Sequence, residues 1–146
     1  MSEQITASAV ISFCSDWEDA AARFYQTLST CFDGQAQLFG AMAAECVKHK
    51  ALIQRTYQET VTDALETGYS FEGLNLQEYV VDLSLAPDAD LNAAIDVAVA
   101  LEKRAIAFYE DVARRSQSLL ATIPRAFERV AQRRSERLSE LEAMRR

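Results

Sequence analysis

The strongest constraint on the fold of this chain is an internal duplication. Residues 101–112, LEKRAIAFYEDV, repeat in altered form residues 17–28, WEDAAARFYQTL, 84 positions earlier. In both copies Glu is followed by Ala three positions on and by Phe-Tyr at six and seven. Extending the match gives two rows that step by threes and fours, the spacing of one helix seam. The first row is Ile11, Cys14, Glu18, Ala21, Tyr25 and Leu28; the second is Ile95, Ala98, Glu102, Ala105, Tyr109 and Val112. Each is apolar or aromatic except for a carboxylate at the same register. A helix seldom spends a buried position on Glu without a partner for its charge.

The periodicity predicts four helices. The first runs from about Ser8, a candidate cap, to Thr30, and Asp33-Gly34 follows as a turn. The second covers about Ala36 to Glu66, with Thr67-Gly68 as its stop and Phe39, Met42, Cys46, His49 and Ile53 as its seam. Residues 67–89 show no sustained helical period and read as a crossover with one short helical turn. Pro87, Asp88 and Asp90 announce a third helix from Asp90 to Ser116. A connection over Ser118 to Thr122 leads to the fourth, which starts near Pro124 and continues to Ala143. Its seam, Phe127, Val130, Arg134, Arg137 and Leu141, lies 88 positions after that of the second helix. Two hairpins, 8–66 and 90–143, with a long crossover between them, make the expected fold class all-α: a single-domain antiparallel four-helix bundle.

Only four Gly and two Pro interrupt a chain that is 49% apolar, which suits long helices. The three Cys, at 14, 31 and 46, are odd in number and lack zinc spacing. Together with the absence of a secretory pattern or a membrane-length apolar run, they point to reduced thiols in a cytoplasmic protein with no membrane role. The formal charge of −7 is unevenly spread: no basic residue lies between Arg55 and Lys103, whereas nine Arg face four Glu from Arg114 onward. The acidic middle opposes nucleic-acid binding by the Arg cluster, so pairing within the chain or between subunits is the expected use, with a homo-oligomer or a protein partner.

The bundle, the duplication and the E-x-x-A-x-x-F-Y wording of both first helices resemble the ferritin-like superfamily, its rubrerythrin-type branch most of all. That resemblance implies a di-iron centre held by one Glu from the first helix of each hairpin and a Glu-x-x-His motif from each second helix. Glu18 and Glu102 match the single carboxylates and His49 matches one histidine. Cys46 stands where that histidine's companion Glu is expected; Arg134 and Arg137 replace the Glu and His of the last helix.

Arg cannot coordinate a cation, because its guanidinium stays protonated and has no acceptor. Two carboxylates in one core without counter-charge would also raise each other's pKa. The substitutions therefore predict a vestigial site made of Glu18, Cys46, His49, Glu102, Arg134 and Arg137. In it the two guanidiniums pair with the two carboxylates, no cofactor is expected, and the role is association rather than catalysis. Two alternatives stand beside this one. Glu18, His49 and Glu102, with Cys46, Glu45 or water, would hold residual iron for oxidase or peroxidase chemistry. Alternatively, Cys46 beside His49 and Arg would be a low-pKa redox thiol, with Cys14 as its resolving partner. Tyr25 and Tyr109 read as core aromatics whose hydroxyls need partners.

Overall fold

The computed structural model describes residues 6–60, 71, 74–116 and 122–145. Four helices carry the chain: α1 (Ala7–Cys31), α2 (Ala36–Thr60), α3 (Leu91–Arg115) and α4 (Thr122–Met144). Each is about 35–38 Å long, and they pack against one another as an all-helical bundle. Among the described residues there is no strand, and no helix is long and apolar enough to cross a membrane.

Local chemistry sets the helix ends. Thr6, rather than the expected Ser8, caps α1, its hydroxyl accepting from the Ala9 N–H at 3.1 Å. Ser8 lies inside the first turn, two positions too late for that role. The Phe32 N–H closes α1 on the Leu28 carbonyl, and a 3-10 turn over Asp33–Gln35 reverses the chain. Asp90 caps α3 by accepting from Ala93 at 2.9 Å, and Arg114 and Arg115 sit favourably in its last turn. The expected end of the second helix at Glu66 and its Thr67-Gly68 stop lie outside the described residues. So does most of the connection over 118–122, although α4 opens at Thr122 with Pro124 in its first turn.

Side-chain pairs give the directions of the helices. Lys50 meets Asp19 and Gln54 meets Ser15, so α1 and α2 are antiparallel. Arg145 meets Asp96 and Phe127 packs on Phe108, which sets α4 against α3 in the same sense. Tyr25 reaches Glu102 while Tyr109 reaches Glu18, making α1 and α3 antiparallel too.

The described part of the crossover lies over α1 and α3. A 3-10 turn at Leu76–Tyr79 is held by the Trp17 indole N–H donating to the Tyr79 carbonyl at 3.1 Å and by Arg104 donating to the Glu78 carbonyl at 2.9 Å. Leu83 and Leu85 then pack against the core.

The core has two apolar halves. One gathers Val10, Ile53, Phe108, Tyr109 and Phe127; the other gathers Tyr25, Phe39, Met42, Leu101 and Leu141. The seam residues expected for α2 and α3 are all buried, and those of α1 are too except Ile11, which is half-buried while Val10 takes the interior place. On α4 Arg137 departs from the pattern, being only partly buried. Glu18, Glu102 and Arg134, each 1–2% exposed, lie among these apolar residues.

Candidate functional site

The duplicated motif builds the site. In each copy Glu and Tyr are seven residues apart, two helical turns on one face. Antiparallel pairing of α1 with α3 therefore sets each Tyr opposite the Glu of the other copy. The Tyr25 hydroxyl donates to Glu102 Oε2 and the Tyr109 hydroxyl to Glu18 Oε2, both at 2.6 Å. Because the Tyr109 proton is engaged with Glu18, the Cys14 thiol, 3.1 Å from the same oxygen, is the donor in that contact.

Arg134 enters this arrangement from α4. Its Nη1 donates to both Glu102 oxygens, at 2.9 and 2.8 Å, and its Nη2 donates to Glu18 Oε1. The same Nη2 lies 3.6 Å from Cys46 Sγ. The guanidinium carbon sits 5.1 Å from the centre of the Trp17 ring, so one face of the cation is covered by an aromatic surface. Burial alone would raise the Glu18 carboxyl, but the charge of Arg134, helped by His49 and Tyr109, holds it below the ordinary carboxylate range. The same carboxylates drive Arg134 further above its already high value, against the opposing effect of burial. Both phenols are pushed well up, by burial first and then by negatively charged or ionisable neighbours, Glu102 for Tyr25 and Cys14 and Glu18 for Tyr109.

The expectation of two cavity guanidiniums is corrected. One Arg satisfies both carboxylates, and Arg137 turns away to the rim, where its Nε donates to Glu45 Oε2 at 2.7 Å and its Nη1 to Glu140 at 2.8 Å. Arg133 joins it on Glu45 at 2.8 Å. The reason is geometric: the two Nη groups of one planar fork face two acceptors at once, so the second cation is not needed inside. The Glu45 carboxyl is held low by Arg137 and Arg133 in spite of partial burial. Glu45 is the site-adjacent residue to which sequence reasoning gives only a minor part. Its position 88 residues before Arg133 follows the helix-to-helix offset of the seams, with Arg137 one helical turn further on, and this is the signal that points to it.

His49 is brought to the site but lies at its edge. It is 9% exposed, with Nδ1 3.6 Å from Glu18 Oε2, too long for a hydrogen bond. Nδ1 and Arg134 Nε are buried atoms without a hydrogen-bond partner among the described residues.

Set beside family models, curated proteins and solved structures, the chain matches none.

These residues do not fit a di-iron centre. A guanidinium fills the space between the two carboxylates, and a cation there would meet its positive charge before any ligand. Among the described residues no group of three or more His, Cys, Asp or Glu side chains is placed to hold a metal ion.

Nor is Cys46 a lowered-pKa thiol. Burial, reinforced by Glu18 and Glu102, outweighs Arg134 and pushes it up to about 12. Burial and Glu18 push Cys14 up as well. Cys31 alone of the three is exposed. Native alkylation at mildly alkaline pH is therefore expected to label Cys31 quickly and the other two only after unfolding. Mass spectrometry of the labelled chain checks this, and rapid native labelling of Cys46 would restore the thiol reading.

Proposed function

We propose that this chain is a ferritin-like bundle of the rubrerythrin type whose di-iron centre has been replaced by an internal cation. In this reading it acts through association, with a second copy or another protein, rather than by redox catalysis. The observation that carries the reading is the seating of Arg134 between Glu18 and Glu102, where one fixed positive charge meets the two carboxylates that would otherwise flank metal. The substitution is self-consistent: the change that removes a ligand also supplies the counter-charge that losing a cation would require.

The association role is supported by segregated charge. Arg is concentrated along α4, whereas the described crossover carries Glu78, Asp82, Asp88 and Asp90 with no basic residue. Faces of opposite sign favour docking in a defined orientation and weaken with added salt.

Elemental analysis of protein purified from iron-supplemented medium is expected to find far less than one iron per chain, and near-stoichiometric iron overturns the proposal. Sedimentation velocity over a range of salt tests the second half. A dimer or larger species that dissociates as salt rises is expected, and a monomer at every concentration removes self-association.

A further inference from the structure

A groove of about 810 Å³ runs between α2 and α4, with Glu45 and His49 in its wall. Its volume lies in the range of small-molecule sites. Its cations fall into two groups. Arg133 is engaged by Glu45 and Glu136. Lys48, Arg125 and Arg129, all exposed on the groove walls, make no ion pair or side-chain hydrogen bond among the described residues. Arg125 and Arg129 are one helical turn apart on α4, so both forks can close on one multiply charged group. Of the three acids in the lining, Glu45 and Glu136 are engaged by Arg133 and Glu128 makes no ion pair among the described residues, and Leu52 and Val130 add apolar wall.

A second observation is independent of this surface charge. His49, nine-tenths buried, forms part of the groove wall, while its Nδ1 turns inward toward Glu18 and has no hydrogen-bond partner. Nδ1 faces the buried carboxylate and not the groove, and the other ring nitrogen makes no hydrogen bond among the described residues, so it is the one a ligand in the groove would use.

We infer that this groove binds a small organic phosphate. Lys48, Arg125 and Arg129 would hold the dianion, His49 would contribute one hydrogen bond, and the organic body would lie along Leu52 and Val130. A dianion is favoured over a monocarboxylate because three cations without an ion pair among the described residues share the groove wall with one such acid, Glu128, and Arg forks match phosphate oxygens in pairs. The site does not depend on the metal history proposed above.

The chain has one histidine, so its imidazole NMR signal needs no assignment. Titration of the full chain with phenyl phosphate at low ionic strength is expected to shift that signal saturably in the millimolar range or below. Inorganic phosphate should do so more weakly, for want of the apolar contact. The triple variant K48Q/R125Q/R129Q, all at exposed positions, should lose at least about tenfold in affinity. R23Q/K103Q/R114Q removes the same charge elsewhere and should bind as the parent does. No saturable shift, or equal weakening by both triple variants, overturns the inference. It is also overturned if a single-stranded oligonucleotide competes for these residues while phenyl phosphate does not bind.

Discussion

Replacing Arg134 by Met is expected to destabilise the chain by about 3–5 kcal/mol, because it strands two buried carboxyls without their cation. For a chain of this length that corresponds to a fall in Tm of roughly 10–15 °C. Met keeps much of the stem's apolar volume, so the loss reports the charge more than a cavity. The pH dependence should also change sign. In the parent, Glu18 titrates below its ordinary value of 4.5, so its contribution is present above that value and is lost as pH falls through the folded pKa. Without Arg134, burial dominates and the Glu18 carboxyl rises. Its contribution is then present below the ordinary value and lost as pH climbs through the raised one. Urea unfolding across a pH series distinguishes the two slopes. Adding E18Q and E102Q to R134M should recover much of the stability, since uncharged amides do not need the cation. A loss below about 1 kcal/mol for R134M, with an unchanged pH profile, would show that the guanidinium is not the counter-ion described.

The second large effect is a gain. If the seams descend from a ferritin-like ligand set, C46E/R134E/R137H should bind about two irons per chain, with Glu18, His49 and Glu102 completing the centre. The apo form of this variant should be much less stable than the parent, for it packs four carboxyls into one core with no cation. Iron should then raise its Tm in a concentration-dependent manner, as a ligand that binds only the folded state must. Elemental analysis and a calorimetric titration with ferrous iron check both parts. A folded, helical triple variant that takes up no metal would disprove the register that relates Cys46 and His49 to Arg134 and Arg137. Position 137 is the most demanding of the three, because its present side chain leans outward onto Glu45.

Much of this architecture is legible in the amino-acid order. The duplicated rows place Glu18 and Glu102 inside, since a carboxylate repeated at one register of an apolar seam does not fit a solvated face. The α2 seam from Phe39 to Ile53 is readable for the same reason. What periodicity does not convey is stoichiometry. It places Arg134 and Arg137 near the cavity but carries no information on how many donors a single fork can direct at two acceptors. Periodicity therefore sends Arg137 inward, although Glu45, one residue before the seam position Cys46, offers a nearer carboxylate at the rim. Ser8 competes with Thr6 as a cap because both are good capping residues, and the choice between them rests on where the first helical turn closes. The depressed thiol expected at Cys46 fails through the weight given to one neighbour. Arg134 does favour the thiolate, but desolvation and two carboxylates act against it more strongly.

The reciprocal tyrosine contacts carry a consequence for how the two halves of the molecule depend on each other. The phenol that solvates Glu18 is carried by α3 and the one that solvates Glu102 by α1, while the guanidinium that meets both carboxylates is carried by α4. The first hairpin on its own would leave Glu18 without its phenol and its guanidinium, whereas the second keeps Arg134 for Glu102 and loses only the Tyr25 hydroxyl. The dependence is thus lopsided: the first hairpin leans on the second for its buried charge, and the second leans on the first for a single hydroxyl.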